Sequence, residues 1–321
     1  MIKSSGKPTN IFPLALVTLI GLFLINLLGF IDTQTGSAFG CGRDWPLCKG
    51  KIIPAVWNTH IAIEFIHRLV VFVYFVLLVF LIIATWKRYR TRKEIRILMG
   101  ISFLAFVGEG ALGAISVLTD NPPSILALHM GMSLIAFTSL YLWTATLRQI
   151  ETGKGQRLDF HDPARVKQLG KWTWGTLIYS FLVVYFGAYV TFTGAGGYFQ
   201  GWPFPTESYS QAHTALFIDL IHRIMALVLF VLILRLNLFT YRLRMEREDL
   251  WAGSLQTLLL LVLQMFSGAL LIITKLNLIA FLLHVSIVTF MVGSLSLLGL
   301  KASFLQGKER IMDSTLTHKN A

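Results

Sequence analysis

The stretch HIAIEFIHR, His60 to Arg68, places two histidines, a glutamate and an arginine at the head of a segment that continues as LVVFVYFVLLVFLIIATW. An ionisable side chain at the centre of a bilayer costs roughly 2.5–3.5 kcal/mol on insertion scales, so such groups mark ion pathways, metals or cofactors. His60, Glu64 and His67 are spaced by four and three residues and therefore share one helical face. Imidazoles can hold a metal ion, a carboxylate can stabilise positive charge or handle a proton, and a guanidinium grips carboxylates in a fork.

The motif has an echo. IEFIHRLVVFVYFVLLV from Ile63 resembles IDLIHRIMALVLFVLIL from Ile218, aligning Glu64 with Asp219, His67 with His222 and Arg68 with Arg223, each 155 residues apart. The same offset carries His129 onto His284 and GAISVLT from Gly113 onto GALLIIT from Gly268. With a loop indel, TGSAFGCGRDWP from Thr35 resembles TGAGGYFQGWP from Thr193. The chain reads as a tandem duplication. A lone membrane histidine is more often a packing hydrogen-bond donor than a ligand, but histidines at matched positions in both copies favour ligation by His67, His129, His222 and His284.

Two imidazoles per copy narrow the cofactor. Zinc or copper normally needs three or four protein ligands, and no thiolate or clustered histidine motif within the apolar segments completes such a set. A haem needs only one or two axial ligands, which predicts one haem per copy, held by His67 with His129 and by His222 with His284. Arg68 and Arg223 then suit haem propionates; the alternative is that each snorkels to lipid phosphate. Asp219 is expected to accept a hydrogen bond that fixes an imidazole tautomer. His213 precedes His222 by nine residues and so faces the other way. Glu109, in VGEGALG, aligns with the neutral isostere Gln264, so it is either a protonated, packed acid or a proton donor. His161 and His318 read as solvated.

The elements that must position these groups are membrane helices. The chain is 55% hydrophobic and only 14% charged, and its mean hydropathy of +0.67 excludes an ordinary water-soluble domain. Eight apolar runs are long enough to cross roughly 30 Å of hydrocarbon: Ile11–Ile31, Ile61–Trp86, Ile97–Leu118, Ile125–Leu147, Trp172–Val190, Leu216–Leu238, Leu255–Ile273 and Leu278–Leu300. The first is expected to be a retained helix, because no small-residue cleavage site follows it. The expected fold is thus an all-α integral membrane protein of eight transmembrane helices, arranged as two tandem four-helix bundles related by pseudo-two-fold symmetry. Residues 1–150 form the first unit, 151–171 a cytoplasmic linker and 172–321 the second unit.

Lys and Arg set the orientation. The link between the second and third runs, WKRYRTRKEIR, carries six positive residues, whereas TDNPPS and TGAGGYFQGWPFPTESYSQ carry none. The positive-inside rule then places both termini in the cytoplasm and all four matched histidines toward the outer leaflet. The +12 net charge follows from this topology. Basic residues scattered over short loops, with no soluble domain to organise them, give no nucleic-acid role. Cys41 and Cys48 fall in the first outer loop, GCGRDWPLCKGK, where the oxidising compartment predicts a disulfide that is either a structural staple or a reducible pair.

Taken together, the eight-run tandem, CGRDWPLC, IEFIHR, IDLIHR and the single histidines of the fourth and eighth runs resemble the haem A synthase family over nearly the whole chain. That resemblance implies oxidation of the C8 methyl of haem O to a formyl, giving haem A for cytochrome oxidase, in a bacterial cell membrane crossed several times. It implies substrate haem O at His67 and His129, Glu64 as the catalytic carboxylate, and haem b at His222 and His284. It further implies dioxygen or water as the oxygen source, haem O synthase (a protohaem farnesyltransferase) upstream, cytochrome oxidase assembly downstream, and an unidentified electron donor. His60, Asp219 and Glu109 remain secondary site residues. Two rivals stand: a di-haem cytochrome b that only carries electrons and gives Glu64 no role, and a transporter. The transporter is disfavoured because the second and sixth runs lack the Gly or Pro breaks of a substrate site.

Overall fold

The computed structural model describes residues 10–153, 163–198, 201–204, 206 and 213–303. Its elements are helices α1 (Phe12–Gln34), α2 (Thr59–Tyr89), α3 (Lys93–Leu118), α4 (Pro123–Thr152), α5 (Pro163–Phe192), α6 (His213–Arg242), α7 (Glu248–Ile273) and α8 (Leu278–Ser303). All eight are long and apolar enough to cross a membrane. Among the described residues there is no strand, only an isolated bridge between Cys48 and Lys51. An all-helical architecture satisfies backbone hydrogen bonding within each segment, which hydrocarbon demands.

The helix ends are written locally. Prolines open α4 and α5, where a missing N–H costs nothing. Asn58 caps α2 by accepting from the Ile61 N–H at 2.8 Å, and Lys87 and Arg88 close it against the negative end of the helix dipole. At α1 the first N–H groups find a distant partner: the Glu151 carboxylate accepts from Ile11 and Phe12, each at 3.0 Å. Tyr89 donates to the same carboxylate at 2.8 Å, so three helices meet there.

The described residues fall into two compact units, one within Met1–Asn121 and Met132–Arg157, the other within Pro122–Gly131 and Leu158–Ala321. The opening turns of α4, with His129, thus group with the second unit. In the first unit Leu22, Leu78, Leu81, Ile95, Leu140 and Trp143 are fully buried. In the second, Leu169, Ile233, Leu250 and Leu295 are, and α7 meets α8 through small residues. Ser294 hydrogen-bonds Thr257 at 2.9 Å, the close backbone approach that membrane helices use in place of hydrophobic driving force.

Two turns bend alike. After α3, Asp120 and Asn121 both adopt positive φ (66° and 51°); after α7, Lys275 and Leu276 do so (53° and 62°). Asn121 donates to the Ser116 carbonyl at 2.7 Å and Leu276 to the Leu271 carbonyl at 2.8 Å. These pairs stand at the 155-residue offset. A leucine with positive φ is uncommon, so the bend is imposed by the connection between α7 and α8 and not by local preference.

Candidate functional site

In the first unit the site is built where α2 begins beneath the loop that precedes it. Asn58 fixes the start of α2, which brings His60, Glu64 and His67 onto its opening turns. Cys41 and Cys48 form a disulfide with S–S 2.03 Å, closing that loop into a small ring. Glu64 is 2% exposed and accepts a hydrogen bond from the Cys41 N–H at 2.6 Å. Its other oxygen pairs with Arg68 one turn later, and Arg68 donates to the Leu47 carbonyl at 2.8 Å. Glu64 and Arg68 therefore grip opposite sides of the disulfide loop. Backbone packs on backbone there, since a Cβ on Gly40 would lie 2.4 Å from the His60 carbonyl oxygen. The exposed His60 shares a 3.0 Å hydrogen bond between its Nδ1 and Ser37.

His67 stands against α1, where a Cβ on Gly29 would come within 3.1 Å of the imidazole Cε1. Asp32, one turn further along α1, is buried and close enough to interact electrostatically with Glu64 and Arg68. The sequence reading missed it. An acid in the last turn of an apolar helix, in LLGFIDTQ, was the available signal. In the alignment that sets Thr35 on Thr193, Asp32 meets Val190, so this acid belongs to the first copy alone. Glu109 is buried in α3 within electrostatic reach of Tyr74. His129 is half-buried, six residues into α4.

The second unit repeats the local arrangement with different chemistry. Asp219 is buried and pairs with the Arg223 Nε at 2.8 Å. Arg223 also donates to the Gly201 and Pro203 carbonyls, each at 2.8 Å. Both arginines thus tie a carboxylate on their own helix to the preceding loop, contacts that neither propionate binding nor lipid snorkelling had foreseen. His222 presses on α5, where a Cβ on Gly187 would sit only 2.7 Å from its Cε1. Among the described residues its buried Nδ1 has no hydrogen-bond partner. His284 on α8 is close enough to interact electrostatically with His222. Its Nε2 meets the Gln264 Nε2 at 2.9 Å and its Nδ1 meets the Ser267 hydroxyl at 2.9 Å. His161 and His318 lie outside the described residues, as does the His213 side chain.

The donor set in the second unit fits a haem. Two half-buried imidazoles stand near one another, one with an orphaned ring nitrogen, and glycines flank both rings: Gly187 against His222, and Gly268, whose Cβ would be 3.4 Å from the His284 Cε1. The bare glycine backbone lets each ring pack directly against the neighbouring helix.

Fold and site define a multi-pass membrane protein that presents, in each unit, a histidine followed by an arginine that ties a carboxylate on its own helix to the preceding loop. Residues 55–295 match the model of the COX15-CtaA family, described as cytochrome oxidase assembly protein. The chain belongs to this family. It is 31% identical over 291 residues to Heme A synthase of Staphylococcus epidermidis, covering 90% of this chain and 95% of that one. Heme A synthase of Staphylococcus aureus strain JH9 is 32% identical over 284 residues, 88% of this chain and 92% of that one.

Proposed function

We propose that this protein is a haem A synthase of the bacterial cell membrane, oxidising the C8 methyl of haem O to a formyl and so supplying haem A for cytochrome oxidase. The near full-length similarity to two relatives that carry this name supports the reading most directly. In it, 1–150 is the substrate half, 151–171 a cytoplasmic linker and 172–321 the cofactor half, with pseudo-two-fold symmetry between four-helix bundles. The repeat at a fixed offset, the matched turns at Asn121 and Leu276 and the matched glycine–histidine contacts at Gly29 and Gly187 all support the duplication. The distribution of Lys and Arg supports cytoplasmic termini.

His222 and His284 hold haem b, and His67 and His129 hold the substrate haem O. When bound at His222 and His284, haem b would supply the electron-transfer chemistry, and the haem O held by His67 and His129 would be the group oxidised. Glu64 would stabilise positive charge developing at the substrate methyl or position the attacking water. Its carboxylate is already oriented by the Cys41 N–H and Arg68, and a low-dielectric site strengthens such an electrostatic role. Arg68 and Arg223 orient the carboxylates and are the residues proposed to pair with haem propionates. The oxygen atom comes from dioxygen or water, the electrons pass to or from an unidentified partner, and haem O synthase makes the substrate.

The test is expression beside a haem O source, followed by chromatography of the extracted haems. The native chain yields haem A, and Glu64→Gln lowers that yield roughly 100-fold or more while haem O stays bound. Normal haem A from Glu64→Gln removes the catalytic assignment. Haem b alone in the native protein means an electron-carrying cytochrome.

A further inference from the structure

The hydrogen bonds around His284 form a consistent set with one tautomer, the one protonated at Nδ1. The Ser267 hydroxyl donates its single proton to the backbone carbonyl of Gln264 at 2.8 Å. Toward His284 Nδ1, at 2.9 Å, that same oxygen can therefore only accept. In this arrangement the ring proton sits on Nδ1, which leaves the Nε2 lone pair bare. The Gln264 side-chain amide, 2.9 Å away, caps that lone pair as donor. Among the described residues the other end of this amide, Oε1, is buried with no hydrogen-bond partner, so the cap has no second anchor and can swing aside.

The geometry points to Ser267 as the positioning residue that presets His284 as an Nε2 ligand, with Gln264 as a displaceable cap over the ligating nitrogen. This rests on the reading of His284 as a haem ligand. A ligating imidazole whose far N–H is held by an acceptor has a fixed ring orientation and greater basicity, and losing that acceptor typically costs 10–100-fold in affinity. At the 155-residue offset Ser267 and Gln264 become Leu112 and Glu109. The hydroxyl brace is thus a property of the second copy, the half proposed to keep its haem.

The experiment uses the purified full chain with its bound haem and compares Ser267→Thr with Ser267→Val, two nearly isosteric side chains that differ in the hydroxyl. Haem release to an excess of apomyoglobin and the midpoint potential of the haem are both read. Ser267→Val should release haem ~10-fold faster or more and shift the potential to more positive values, because the imidazole donates less electron density. Ser267→Thr should match the native protein in both. If Thr and Val behave alike, a packing role suffices and the positioning role is overturned; Ser267→Ala, which removes the acceptor without adding bulk, replaces Val should Val not accumulate. His284→Ala separates the underlying reading. If its haem content and spectrum are unchanged, the ligand assignment fails; if haem is lost from His284→Ala while Thr and Val agree, only the role of Ser267 fails.

Discussion

Gly29 and Gly187 show how narrowly the histidines are held. A methyl group at 187 would intrude to 2.7 Å on the His222 ring, and one at 29 to 3.1 Å on the His67 ring. Overpacking of this kind costs about 1–3 kcal/mol and displaces the flexible partner. Gly187→Ala should therefore lower haem b per polypeptide and shift its optical spectrum, and Gly29→Ala should show a smaller effect at the first site. Extracted haem quantified against protein reads both. Asp219, the shorter acid opposite Glu64 in the repeat, offers the complementary contrast. Asp219→Asn weakens the grip of Arg223 on its loop, but haem A yield should stay far above that of Glu64→Gln, measured in the same extraction.

Among the elements, the disulfide loop depends most on long-range contacts. It is stapled by Cys41–Cys48 and seated on α2 by Glu64, Arg68 and the bare backbone of Gly40. Closing so short a ring is worth roughly 2.5 kcal/mol in the chain-entropy view. Replacing both cysteines by alanine should lower the thermal midpoint accordingly, with haem A still formed at low temperature. A collapse of haem A yield with an unchanged midpoint would favour the reducible-pair reading over the staple. Gly40→Ala should be at least as damaging, because the clash is with the His60 backbone and no rotamer relieves it. Protease sensitivity of the loop in intact cells or vesicles reports its release.

For the whole molecule, the proposed division of labour predicts that the two halves are separable in function. His222→Ala with His284→Ala should remove haem b, whereas His67→Ala or His129→Ala should leave haem b bound and abolish conversion of haem O. Loss of haem b from the first-half variants instead would contradict the division of labour. Reporter fusions after Arg92 and after Tyr198 should report opposite sides of the membrane, the first cytoplasmic, because the basic link lies at one end of the helices and the uncharged loop at the other.

Hydropathy and residue spacing were enough to read eight helices, the polar stripe at the start of α2 and its echo in α6, because lipid penalises every misplaced charge and each helix satisfies its own backbone. The prediction of a Cys41–Cys48 bond came from compartment and proximity alone, and the structure contains it. What the sequence left open were contacts between segments far apart in the chain. That Asp32 is within electrostatic reach of Glu64, that Arg68 and Arg223 reach back to loop carbonyls, and that Ser267 hydrogen-bonds a ring nitrogen of His284 all depend on how neighbouring helices are rotated against one another. Helical periodicity names the residues that share a face, but the packing of small residues such as Gly29 and Gly187 decides which faces meet, and only the tertiary structure records that choice.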